Sequence, residues 1–179
     1  ATTALFLARS QRSKRDNYKY AREFIEKFPH SAQVYKSLAE LYTADSLFND
    51  ADREMKLGID KTTHKDEAHS NYAALIFNQS VYHPNQYKEW TLVKALDEAT
   101  KAYQIKPDPA YKHQQAQIIY AQGQYQKACD MFKDLTKTSL NNGELWLECA
   151  QCKIQLKAPY QEVKTLLDSA IIFSKRSFL

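Results

Sequence analysis

The stretch Tyr35-Lys36-Ser37-Leu38-Ala39-Glu40-Leu41-Tyr42 is followed, after a short turn, by Phe48-Asn49-Asp50-Ala51-Asp52-Arg53-Glu54-Met55-Lys56-Leu57-Gly58. In the first half, Tyr35, Leu38, Ala39 and Tyr42 fall at i, i+3, i+4 and i+7, which is one face of an α-helix. In the second half, Phe48, Ala51, Met55 and Ile59 form a second such face. The stretch therefore predicts two helices joined by a tight turn, each with one apolar side. Its second phrase is an aromatic or Leu, two residues, Ala, and an apolar residue four further on. That phrase returns as Leu92–Ala95–Ala99 and Tyr125–Ala128–Phe132, and more weakly as Tyr160–Val163–Leu167. An earlier copy is Tyr18–Ala21–Ile25. A spacing of about 33 residues is that of one helical hairpin copied and stacked.

Working outward, the breaks between copies carry turn chemistry. Pro29-His30-Ser31 ends a helix expected over 17–29, itself preceded by one over 3–14, and Ser31 is placed to cap the next helix at 32–44. Asp45 or Ser46 is placed to cap a helix over 47–60, and Thr62-Thr63-His64 makes the following turn. A third pair begins near Asp66, with Tyr72, Leu75 and Ile76 in phase, and stops after Ile105 at Lys106-Pro107-Asp108-Pro109. Proline removes a donor and disfavours helix in the residue before it. The fourth pair covers 110–138, with Gly123 at its turn supplying left-handed backbone. Asn141-Asn142-Gly143 is the next break, and the fifth pair runs from Glu144 to about Ser174, turning at Ala158-Pro159-Tyr160. Ala39, Ala51, Ala95, Ala116, Ala128 and Ala150 are the small residues that let two helices approach at a crossing.

Composition agrees with helix throughout. The 179 residues include three Gly and five Pro, and apolar residues are 44% of the chain, enough for a continuous core. Net charge is +4 with both signs interspersed, which describes a solvated surface and not a nucleic-acid footprint. The densest basic stretch, Arg9–Arg12–Lys14–Arg15, reads as a solvated helix end. No apolar run approaches the ~20 residues of a membrane-spanning helix. Ala4-Leu5-Phe6-Leu7-Ala8 precedes that basic cluster, the reverse of a signal peptide's order.

At this point the repeats resemble the tetratricopeptide repeat family. The second copy matches as Tyr35, Leu38, Ala39, Tyr42, Phe48, Ala51, Met55 and Gly58. The third matches as Leu92, Ala95, Ala99, Ala102 and Pro107, and the fourth as Ala116, Ile119, Gly123, Tyr125, Ala128 and Phe132. The first and fifth are degenerate, as end repeats often are. The resemblance implies an all-α, right-handed superhelical solenoid of about five antiparallel hairpins. Its repeats would be 1–31, 32–65, 66–109, 110–141 and 142–179 of a single domain. Two departures stand out. Lys112 and Gln115 take positions the pattern gives to apolar residues, so the first helix of the fourth hairpin is expected to be rotated or loosely packed. The third hairpin carries about seven extra residues within Ser80 to Thr91, a length read against the repeat period.

The family's function is to hold a protein or peptide in a concave groove lined by first helices. Carried over, the groove positions are Gln33, Lys36, Ser37 and Glu40, then Ser70, Ala73, Ala74 and Phe77, then His113, Gln114 and Gln117. They are mostly neutral and include no Arg, unlike the carboxylate clamps of some family members. The expected partner is an extended peptide, with Asn71 and Asn78 as further side chains able to bond its backbone. The insertion offers a second contact through Tyr82, Tyr87 and Trp90, since exposed aromatics bury large area at little entropy cost. The competing reading folds Tyr87 and Trp90 back onto the hairpin. A second function class is a helper segment of a larger transport or enzyme assembly, with the same three aromatics stacked on a glycan, or an amino acid as ligand. The segment from Tyr20 to Ser31 looks like a subgroup common in bacterial cell-envelope proteins, which leans the expected compartment that way.

Catalysis is not expected. There is no phosphate loop, nucleophile elbow or His–Glu metal pair at helical spacing, and no cofactor or metal is implied. His64 and His69 near Asp66 and Glu67 read as the start of a surface helix. Of the three cysteines, Cys129, Cys149 and Cys152, the last two share a helix face but lack the helix N-terminus that a redox thiolate wants. Small buried thiols are the expectation.

Overall fold

A computed structural model describes residues 14–138 and 142–176, with side chains over 16–138 and 142–174. The helix expected over 3–14 lies outside the described residues but for its last position, as do Arg9, Arg12 and Asn141. Among the described residues there are nine α-helices and no strand. They are α1 (Lys14–Lys27), α2 (Ala32–Ala44), α3 (Phe48–Lys61), α4 (Lys65–Tyr82), α5 (Leu92–Ile105), α6 (Pro109–Ala121), α7 (Tyr125–Thr138), α8 (Gly143–Gln155) and α9 (Tyr160–Arg176).

The chain forms two compact units, divided between Lys106 and Pro107. That division falls at the proline pair Pro107 and Pro109. The first unit holds α1 to α5. Here α2 pairs with α3 and α4 with α5, while α1 packs on α2 and α4 packs on both α2 and α3. The second unit holds the hairpins α6–α7 and α8–α9, stacked through α7 and α8.

The apolar faces read from the sequence are the ones buried. Leu38, Ala39, Ala51 and Met55 are at most 1% exposed, and so are Ala95, Ala99, Ala116, Ala128 and Phe132. Small residues sit where helices cross. A Cβ added to Gly58 would lie 2.7 Å from the Cβ of Tyr35, so only glycine lets α3 approach α2 this closely. The first helix of the fourth hairpin is not rotated out. Ala116 and Ile119 are buried in the register of Ala39 and Tyr42, while Lys112 and Gln115 are half-buried. Lys112 reaches Asp134 of α7 at 3.8 Å.

Turns and caps differ more from expectation. Gly123 takes φ 78°, as its place in the α6–α7 turn requires. The α2–α3 and α8–α9 turns use the same left-handed backbone but give it to Ser46 (φ 61°) and Lys157 (φ 55°). Neither Asp45 nor Ser46 caps α3, whose N-cap position is Leu47, and Ser31 sits at the α2 N-cap without a side-chain bond. Caps are made instead by Thr91, Asp108 and Asn142, which accept from the backbone N–H of Lys94, Ala110 and Glu144.

Candidate functional site

Four alanines fix a common register on the first helices: Ala39 of α2, Ala73 of α4, Ala116 of α6 and Ala150 of α8, all 0% exposed. Three residues before them stand Lys36, Ser70, His113 and Leu147. Two before stand Ser37, Asn71, Gln114 and Glu148, and one after stand Glu40, Ala74, Gln117 and Gln151. These are the positions from which groove residues were expected.

In the second unit this station is occupied by the protein itself. Glu148 of α8 reaches back to α6, where its Oε2 lies 2.5 Å from His113 Nε2 and its Oε1 accepts from Gln117 Nε2 at 2.8 Å. The hydrogen bond to Glu148 raises the pKa of His113 against the opposing effect of burial. The imidazole edge also meets the ring of Phe132, at 5.8 Å between centroids. Two of the three expected residues of this unit, His113 and Gln117, thus serve to join successive hairpins. Gln114 is half-buried and engaged in an interaction of its own.

At the equivalent station in the first unit the side-chain nitrogen of Asn71 makes no such bond among the described residues. Asn71 holds on α4 the position of Glu148, and Lys36 and Glu40 hold on α2 the positions of His113 and Gln117. Lys36 and Glu40 form a loose ion pair with each other at 3.8 Å. The Asn71 Nδ2 is buried and has no acceptor among the described residues. Buried amide donors are nearly always satisfied by protein or by ordered water, so this one is an unmet donor of α4. Gln33, Ser70, Ala74 and Phe77 are half-buried and Glu40 is exposed. Ser37 and Ala73 are buried, and the Ser37 hydroxyl donates to the Gln33 carbonyl, so these two lie beneath the face.

The insertion folds back. Trp90 is 4% exposed and its indole N–H donates to Asp52 Oδ1 at 2.9 Å. Tyr87 stacks on Phe48 at 5.7 Å and donates to Asn49 Oδ1 at 2.9 Å. Trp90 is therefore a core residue and offers no ring to a partner or a glycan. Tyr87 is half-buried, and Tyr82, at 71% exposure, is the aromatic that faces solvent. The acceptor that gathers this cluster was not legible in the sequence. Asp52 is 5% exposed and accepts from Tyr72, Trp90, Lys56 (2.7 Å) and Lys94 (3.1 Å). Burial alone would push its carboxyl up; these four donors together hold it well below the ordinary range. The Lys94 ammonium also lies 5.1 Å from the centroid of the Tyr72 ring.

The other titratable groups of note are paired with one another or buried as thiols. Glu98 is buried and takes His69 Nδ1 at 2.6 Å and Lys101 at 2.9 Å. Cys129, Cys149 and Cys152 are buried and free. Burial raises the Cys129 thiol and pushes those of Cys149 and Cys152 up to about 12, so all three stay protonated near neutrality. Cys129 and Cys149 line a groove of about 470 Å³ between α7, α8 and α9, with Trp146, Lys133 and Leu166. Among the described residues no group of three His, Cys, Asp or Glu is placed to hold a metal, and no helix is long and apolar enough to cross a membrane.

No family model matches the chain, and no curated protein matches it. Solved structures do match. MamA superposes with TM-score 0.66 at 12% identity, over 95% of this chain and 94% of its own. YrrB, described as a TPR protein with an unusual peptide-binding site, gives 0.61 at 12% identity, over 94% of this chain and 82% of its own. PilF of Pseudomonas aeruginosa gives 0.66 at 14% identity, over 94% of this chain and 73% of its own. At such identities the likeness is one of fold, and the fold it assigns is that of the tetratricopeptide repeat.

Proposed function

We propose that this chain is a non-enzymatic adaptor that binds an extended peptide segment of a partner protein on the α2–α4 face of the first unit. The observation that carries the reading is the buried Asn71 amide without an acceptor, at the register where the second unit supplies its own carboxylate. A peptide carbonyl laid along this face accepts from Asn71, and an apolar peptide side chain covers Phe77. Lys36, Glu40, Gln33, Ser70 and Ala74 border the contact, and Tyr82 at the end of α4 is the second contact. YrrB shares the fold and is itself described as peptide-binding, which agrees with this reading.

The test is capture of partners on the immobilised full chain, compared with Asn71→Ala and Phe77→Ala and read by mass spectrometry. A protein held by the natural sequence and reduced about tenfold or more by both substitutions supports the adaptor role. Identical captures from all three chains sink it.

A further inference from the structure

The last helix of the second unit carries an apolar stripe that nothing among the described residues covers. Tyr160 is 77% exposed, Ile171 55% and Ile172 51%. Register shows which face this is. Aligning Tyr160–Val163–Leu167 with Tyr125–Ala128–Phe132 puts Lys164 where α7 has Cys129, and Ile171 where α7 has Thr136. Cys129 and Thr136 are each 3% exposed, on a helix that packs against the next hairpin through α8. The stripe on α9 is therefore the stacking face of this repeat, apolar at both ends and open.

Its centre says what covers it. Lys164 and Asp168 lie between Tyr160 and the two isoleucines, side chains about half exposed, with Nζ and Oδ2 2.7 Å apart. A further apolar hairpin stacked here would strip water from this pair without replacing it. A second α9 laid antiparallel does replace it. About a two-fold axis level with Leu166, position 164 of one copy faces position 168 of the other, twice over. The same operation brings Tyr160 of each copy beside Ile171 and Ile172 of the other. Charge, apolar ends and spacing are all self-complementary, which is the requirement of an isologous contact. We infer that the α9 face binds a second copy of this chain, as a two-fold dimer with the helices antiparallel. The apolar ends supply the attraction and the charge quartet supplies register and orientation.

Charge exchange tests this on the full chain by sedimentation velocity at a series of concentrations. The natural sequence is expected to show concentration-dependent association to twice the chain mass. Lys164→Glu gathers four negative groups at the centre and Asp168→Lys four positive ones, so each alone is expected to be monomeric. An equimolar mixture of the two single variants restores two charges of each sign and is expected to associate again. An i, i+4 effect inside one helix cannot produce that recovery, because neither variant has an opposite-sign pair of its own. Circular dichroism of each variant confirms that helix content is kept. A natural chain that stays monomeric throughout the series overturns the inference, as does association that both single variants leave intact or that mixing fails to restore. Neither outcome bears on peptide capture by the first unit.

Discussion

At Asp52, one carboxylate ties together residues far apart in sequence. Tyr72, Trp90 and Lys94 converge on it from α4, the insertion and α5. Asp52→Asn keeps the shape and removes the charge, leaving the Lys94 and Lys56 cations without their counter-ion. We expect a loss of about 2–3 kcal/mol, measured by urea unfolding. Because its folded pKa lies below the ordinary value, the contribution of Asp52 is complete above about pH 4 and is lost as pH falls further. His113 has the opposite sign. Its folded pKa is raised, so its bond to Glu148 contributes fully below the unfolded value of about 6.5 and fades as pH climbs through the raised value. Thermal melts of the natural chain are thus expected to fall across that window, and those of Glu148→Gln to fall less. Equal slopes for the two would contradict the assignment.

At the scale of elements, the helices were legible because their apolar residues repeat with helical spacing. The Ala32–Ala44 helix was placed to the residue, and the proline pair fixed the break after Ile105. Turns were legible only where a residue type announced the backbone. Gly123 did so, whereas Ser46 and Lys157 occupy the same left-handed region with no composition signal, in turns closed by the local bonds from Leu47 N–H to the Tyr42 carbonyl and from Ala158 N–H to the Lys153 carbonyl. An L-residue there is strained by about 1–2 kcal/mol, part of which glycine returns to the flexibility of the unfolded chain. Ser46→Gly and Lys157→Gly are each expected to stabilise the chain by about 0.5–1 kcal/mol, seen as a rise in Tm. Gly58→Ala is expected to do the reverse, since its Cβ would press on Tyr35. A Tm for Ser46→Gly at or below that of the natural chain would show that the turn holds a contact through the serine side chain.

For the molecule as a whole, the sequence located the first helices but not which of the residues expected to line a groove the protein itself engages. That depends on contacts between residues 30 to 40 places apart, such as Glu148 with His113 and Asp52 with Trp90, which no local pattern encodes. The two units consequently present the same register in different states. In the first, Asn71 leaves a donor open; in the second, Glu148 has taken the donors of His113 and Gln117. Partner capture should therefore be lost on Asn71→Ala and Phe77→Ala, yet survive His113→Gln and Gln117→Ala, whose groups are already engaged. Glu148→Ala carries the sharper consequence. It frees the His113 and Gln117 donors, so the second unit gains an anion-accepting station, stronger at pH 6 than at pH 8 as His113 becomes cationic. Titrating the variant with a short peptide bearing a free carboxylate, followed by the ring resonances of His113, checks this. Shifts seen in Glu148→Ala and absent from the natural chain would show that the carboxylate of Glu148 stands where a ligand's would. The same shifts in both would mean that the station was never closed.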